Sequence, residues 1–221
     1  METIGIITLG QTPRLDFEQV FRRHLPDAKL LVRGGLDGVP PAEIEALSAA
    51  GGDYPLFVIL RDGSHREISL HRIKPLLDQR AREIAAEGAA VTALMCAGNF
   101  PDLDSPIPVI YPSRILTAVA RGICRGDRIG VVTPNEGQVT SATAHWRDKG
   151  FHPTVTAASP LDPDALPRAA HVLADSGLEL IVLDCLGFSP EAARRMRALC
   201  SRPVLCPQGL VPRVMAEMVG A

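Results

Sequence analysis

With 221 residues, 46% of them hydrophobic and 22% charged, the chain has the size and composition of a globular protein with a real core, built as one large domain or two small lobes. A net charge of −2 gives no electrostatic reason to expect nucleic acid or an anionic membrane surface as partner. No apolar run approaches the ~18 residues that span a bilayer, and the opening residues lack the basic start of a signal peptide, so a cytoplasmic protein is expected.

Strands and helices alternate along the whole chain. Thr3–Leu9 reads as a first strand, closed by Gly10-Gln11-Thr12-Pro13, with Thr12 expected to cap a helix running to about His24. A short strand over 28–32 and a short helix over 40–50 follow. Residues 56–60 and 67–70 flank Arg61-Asp62-Gly63-Ser64, and Asp-Gly between two β-rich runs signals a hairpin. A helix over 72–87 leads to the strand 90–95. The Pro-rich stretch 105–112 is expected to be the crossing between lobes, after which Ser113 should cap a helix to about Arg125. The second half repeats the rhythm: strand 128–132, a helix to Lys149 ended by Gly150, strand 152–157, helix 164–176, strand 179–183, a helix capped by Ser189, strand 203–206 and a closing helix 210–219. This order predicts an α/β fold of two similar lobes, each a parallel sheet flanked by helices, with a cleft between them. Residues 1–105 with about 208–221 would form lobe 1, carrying the hairpin, and 106–207 would form lobe 2.

Two of the five cysteines stand at matching places. Cys96 and Cys185 each end an apolar run and are followed by glycine, an aromatic and proline. An apolar run reads as a buried parallel strand, and its Gly/Pro-rich exit lies at the sheet edge where open α/β folds bind ligands. A lone cysteine there is commonly a small buried hydrophobe. A matched pair suggests instead two thiols that remove a proton from one face of a bound molecule and return one to the other. That chemistry needs the sulfurs roughly 7–9 Å apart, two proton-transfer reaches across one carbon. Cys124, Cys200 and Cys206 read as structural, and the odd count without a CxxC pair argues against a disulfide framework or a zinc site.

The other strand exits supply polar groups: Gly10, Gln11, Thr12 and Arg14; Gly98 and Asn99; Ser113; Thr133 and Pro134; Gly187 and Phe188. Hydroxyls, amides and helix-start N–H groups suit a carboxylate or carbonyl, and the planar fork of Arg14 could clamp a carboxylate. Helix capping and solvation are the plainer roles for Thr12 and Arg14. Asp184 could tune the neighbouring thiol or cap its loop. No dinucleotide fingerprint, P-loop or metal-ligand spacing is present, so no cofactor or metal is expected.

Gly10-Gln11-Thr12-Pro13-Arg14, Tyr111-Pro112-Ser113-Arg114 and Leu183-Asp184-Cys185-Leu186-Gly187-Phe188 resemble the hallmarks of the AroM family, which in turn is similar to the aspartate/glutamate/hydantoin racemase superfamily. The resemblance covers nearly the full length. It implies two α/β lobes contributing one cysteine each to a cleft, with Cys96 and Cys185 as that pair and Asn99 and Thr133 holding a substrate carboxylate. It also implies a cofactor-independent racemase or isomerase of a small carboxylate or carbonyl compound, working as a homodimer. Where that superfamily commonly has Asn-Thr after the first cysteine, this chain has Ala97-Gly98-Asn99. Where it often has a polar pair after the second, Leu186-Gly187 stand here. A one-cysteine decarboxylase, a non-catalytic small-molecule sensor and a thiol-redox protein are the alternative readings.

Overall fold

The apolar, β-branched run Thr3–Thr8 forms β1, the central strand of a parallel sheet. A computed structural model describes residues 2–52, 54–174 and 177–220. The strand β1 pairs with β2 (Lys29–Gly34) on one side, Thr3 opposite Lys29 and Thr8 opposite Gly34. On its other side lies β5 (Val91–Leu94), with Ile7 opposite Leu94. Between them the chain runs through α1 (Leu15–Arg22), α2 (Pro41–Ala49), the hairpin strands β3 (Pro55–Ile59) and β4 (His65–Ser69), and α3 (Leu70–Ala86).

A fourth strand, β6 (Val109–Ile110), pairs in parallel with β5, giving the order β2-β1-β5-β6. It lies inside the stretch expected to be only a crossing. Pro106, Pro108 and Pro112 surround it, and a strand of two residues is too short to leave an alternating pattern among prolines that cannot donate to a ladder. Ile73, Leu77, Ala81 and Ile84 recur at helical spacing and lay α3 on the sheet beside Ile7 and Leu94. The hairpin covers the same core with Leu56, Val58 and Ile68, whereas alternate residues Phe57, His65 and Glu67 are exposed.

Two helix starts differ from the sequence expectation. Thr12 does not cap α1: its N–H and hydroxyl both bond to Asp37, and the N-cap position falls to Arg14, after a cis Thr12–Pro13 bond. The helix α4 (Pro112–Ile123) starts two residues early, so Ser113 is a buried residue of its first turn and not its cap. Pro112 suits the first turn because its fixed φ is helical and its missing N–H would have had no partner there.

The second sheet is built from β7 (Arg128–Thr133), β8 (His152–Ala157), β9 (Leu180–Leu183) and β10 (Val204–Leu205), all parallel. A 3₁₀ turn (Glu136–Gln138) and α5 (Val139–Asp148) join the first two strands, α6 (Ala165–Val172) joins β8 to β9, and α7 (Pro190–Cys200) joins β9 to β10. The expected end of α6 at Ser176 lies outside the described residues. Gly150, at φ 80°, follows α5 as the left-handed residue that ends a helix. Ser189 Oγ accepts from Ala192 N at 3.2 Å and caps α7. The closing helix α8 (Pro207–Val219) begins ahead of the expected 210, again on a proline.

Side chains alternate across this sheet. Ile181 and Leu183 pack with α6 and α7, and Leu180 and Val182 pack with α4 and α5. The order β8-β7-β9-β10 repeats β2-β1-β5-β6 strand for strand. The chain divides into two compact units, one holding everything up to Tyr111 and from Pro212 onward, the other holding Pro112–Val211.

Candidate functional site

In each unit, parallel strands deliver their exits to one edge of the sheet. Met95 N donates to Ile7 O at 2.7 Å, and Asp184 N donates to Val132 O at 2.8 Å, so the two exits run in the same register. Cys96 and Cys185 each stand two residues beyond the last residue of the strand beside the central one. Cys96 shares a sheet face with Leu94 and Cys185 with Leu183, each partly buried against its own core. Thr8 and Thr133 are a second matched pair, both ending a central strand and both buried. Thr8 was not singled out from the sequence. Its signal was available, because it ends the first strand as Thr133 ends the seventh.

In the first unit, the Cys96 loop meets a residue that sequence reasoning missed. Asn99 N donates to the hydroxyl of Tyr54 at 2.9 Å. A Cβ built on Gly98 would lie 3.1 Å from that hydroxyl and 3.5 Å from Cys96 Sγ. Tyr54 precedes β3, so the hairpin carries it to the thiol's loop. Nothing in a lone tyrosine outside any periodic run pointed to this.

The exit of β1 is tied into the scaffold. Gly10 packs so tightly that a Cβ would overlap the Ile59 carbonyl of the hairpin, and Gln11 N donates to that carbonyl at 3.0 Å. The Gln11 side chain donates to Leu36 O (3.3 Å) and accepts from Arg61 N (3.0 Å). Thr12 Oγ1 donates to Asp37 Oδ2 at 2.9 Å. Arg14 meets both Asp16 carboxylate oxygens, at 2.9 and 2.7 Å, reaches Thr8 Oγ1 at 3.2 Å and stacks over Phe17. Its fork already holds a carboxylate. Burial alone would raise the Asp16 carboxyl, but the Arg14 hydrogen bonds and charge outweigh burial and hold it below the usual range.

In the second unit, Gly187 N donates to Cys185 Sγ at 3.2 Å. Burial dominates the thiol nonetheless and, with Asp184 and Cys206 adding to it, pushes Cys185 up to about 11. At neutral pH this thiol carries its proton. Asp184 turns to the opposite face, where Trp146 Nε1 donates to its carboxylate at 2.9 Å, and burial raises its carboxyl as well. The loop after Cys185 is held from behind: Cys206 Sγ donates to Phe188 O at 3.1 Å, and Gln208 donates to Leu186 O at 3.1 Å. Phe188 is a core ring, and only its carbonyl takes part in these bonds. The Thr133 hydroxyl donates to Asn135 O at 3.0 Å, across the turn that Pro134 begins. Ser113, buried in the first turn of α4, follows the exit of β6, and its carbonyl accepts from Thr117 Oγ1 at 2.8 Å. Between the exits of β8 and β9 lies a pocket of about 250 Å³ walled by Pro160, Leu161, Gly187, Phe188 and Arg195.

The family model described as AroM protein matches residues 4–219. The chain belongs to the AroM family. A search of curated proteins found no match. Among solved structures, the AroM-family chain is similar to a liganded double mutant of arylmalonate decarboxylase (16% identity, 100% of this chain and 94% of that one, TM-score 0.65). It is similar to the maleate isomerase of Pseudomonas putida S16 (14%, 99% and 94%, TM-score 0.64) and to the allantoin racemase of Klebsiella pneumoniae (16%, 100% and 88%, TM-score 0.64). The shared fold is that of the aspartate/glutamate racemase superfamily.

Among the described residues of the AroM-family chain, no group of three or more His, Cys, Asp or Glu is arranged to hold a metal, and no helix is long and apolar enough to cross a membrane. No disulfide joins the cysteines. What the two exits offer is one thiol in each unit, Cys185 with the Gly187 N–H on its sulfur and Cys96 with the Tyr54 hydroxyl on the loop that follows it.

Proposed function

We propose that this protein is a cofactor-independent racemase or isomerase that moves a proton on a small carboxylate or related carbonyl compound, using Cys96 and Cys185. The observation that carries this reading is the matched position of the two cysteines in two sheets of identical strand order. A thiol that burial keeps protonated is suited to donate, so Cys185 is the acid and Cys96 the base for one hand of substrate, and the roles exchange for the other. The Cys96 thiolate takes the α-proton, leaving a planar enediolate. The Cys185 thiol gives its proton to the opposite face, and exchange with solvent resets the pair. N–H donors and hydroxyls of the exit loops stabilise the developing oxyanion. The reading requires the loops of the two units to close on one ligand, with Gly98, Asn99, Thr133 and Gly187 around it. It also takes the protein to be a homodimer of the cytoplasm without nucleic-acid or membrane partners, in keeping with its small net charge.

A second reading, a one-thiol decarboxylase, is favoured by the same protonated Cys185. Loss of CO₂ leaves an electron pair on carbon, the Cys185 proton moves to that carbon, and solvent reprotonates the thiolate. Incubating a panel of α-amino, α-hydroxy and α-aryl acids, hydantoins and malonates in deuterated water, followed by NMR, separates the two. The racemase reading expects deuterium at the α-carbon, with exchange lost at least 100-fold in both Cys96→Ala and Cys185→Ala, within the range that an acid/base residue contributes. CO₂ release that survives Cys96→Ala but not Cys185→Ala establishes the decarboxylase. Binding of a panel acid without exchange or CO₂ release overturns both.

A further inference from the structure

We propose that Tyr54 is a positioning residue for Cys96, and that residue 98 is glycine because the Tyr54 hydroxyl and the Cys96 sulfur converge over it. This inference rests on reading Cys96 as the proton-transfer thiol. The backbone of Tyr54 is left-handed, at φ 56°, a conformation that costs a bulky side chain on the order of 1 kcal/mol or more. Packing does not account for that cost, since the residue is 47% exposed and adds little to the core. The conformation is fixed from two directions. Leu70 N, at the start of α3, donates to Tyr54 O at 3.1 Å, and the preceding Gly51 and Gly52 take φ of 59° and 126° to bring the chain there. What the strained residue gains is the placement of its hydroxyl.

That hydroxyl accepts the Asn99 N–H at 2.9 Å and so holds the turn that follows Cys96. An N–H bond to a phenol oxygen polarises its O–H and makes it a better donor. The same oxygen lies 3.1 Å, and Cys96 Sγ 3.5 Å, from the point where a Gly98 side chain would begin. A hydroxyl that donates to the sulfur across that point would favour the thiolate over the thiol. On this proposal Tyr54 fixes the turn that carries the sulfur and eases the loss of its proton. A Cβ at 98 would press on the Tyr54 hydroxyl at 3.1 Å and touch the sulfur at 3.5 Å, so the hydroxyl is the group that would have to give way.

The test needs no substrate, so its outcome is independent of the turnover experiments. Iodoacetamide alkylation at one fixed pH is followed site by site by peptide mass spectrometry, with Cys185 as internal reference, in the native protein, Tyr54→Phe and Gly98→Ala. Tyr54→Phe is expected to slow Cys96 about tenfold, the equivalent of one hydrogen bond to a charged group, and to leave Cys185 unchanged. Gly98→Ala is expected to slow Cys96 as well. A Cys96 rate within about twofold of native in Tyr54→Phe, or both cysteines moving together, overturns the proposal. Should either variant fail to fold, the intact chain decides. It holds only two tyrosines, so 3-fluorotyrosine gives two ¹⁹F signals, of which the more solvent-exposed is Tyr54. Alkylating Cys96 is expected to shift that signal and not the one from Tyr111; an unmoved Tyr54 signal overturns the proposal.

Discussion

Cys185 is a thiol for which ionisation in place is costly. The Gly187 N–H is the one donor to its sulfur that lowers its pKa, and burial outweighs that bond to push the group from 9.0 to about 11. The folded protein thus holds this proton more tightly than the unfolded chain does. The resulting stability is intact below pH 9 and is lost as pH rises through 11. Relative to Cys185→Ser, which does not ionise, the native protein should lose up to about 2 kcal/mol between those limits, measured by urea denaturation at each pH. Parallel curves for the two proteins would show that the sulfur is better solvated than its surroundings imply. The cysteine pair was legible in the sequence because each member ends an apolar run. The bonding of Gln11, Thr12 and Arg14 was not, because the partners Leu36, Asp37 and Arg61 lie 25 to 50 residues away and only the folded chain selects them. Asp16 is nearby in sequence, yet nothing in composition said that it, and not a ligand, would fill the Arg14 fork.

At the scale of elements, the hairpin acts as a strut and not as decoration. It touches the β1 exit through Ile59 and Arg61 and carries Tyr54 to the Cys96 loop, so both exits of the first unit lean on it. Gly10 is the tightest point, since the Ile59 backbone occupies the space any side chain there would need. Gly10→Ala should therefore cost about 1–3 kcal/mol, the range for forcing atoms into a filled space, because the Ile59 backbone leaves nothing flexible to yield. Hydrogen exchange should quicken first in residues 55–69 and at Gln11 N, whose bond to Ile59 O is broken. Unchanged exchange there would mean that the hairpin is held by its apolar face alone. The Asp62-Gly63 turn made the hairpin legible. Its role was not, because attachment to another loop leaves no local pattern. The strand β6 was hidden for a related reason: its one ladder to β5 is a long-range choice, made between prolines that argue locally against any strand.

At the scale of the whole molecule, two sheets of one strand order place corresponding residues at corresponding points, Thr8 with Thr133 and Cys96 with Cys185. Alternating apolar runs and amphipathic helices announced that architecture, because each parallel strand must be covered on both faces. Less evident was where the units divide, since α8 is unbroken across the boundary: Val211 belongs to the second unit and Pro212 onward to the first. Residues 212–220 thus belong to the same compact unit as β1. Met215, fully buried, is the side chain by which this can be tested. Its truncation to alanine leaves a cavity costing about 2–5 kcal/mol, and the loss should fall on the first unit. Hydrogen exchange in Met215→Ala should accelerate in β1 and β5 while β7 and β9 keep their native protection, since opening free energies are local to the cooperative unit that loses the contact. Equal acceleration in all four strands would mean that the two units unfold as one, and that α8 couples them as well as completing the first.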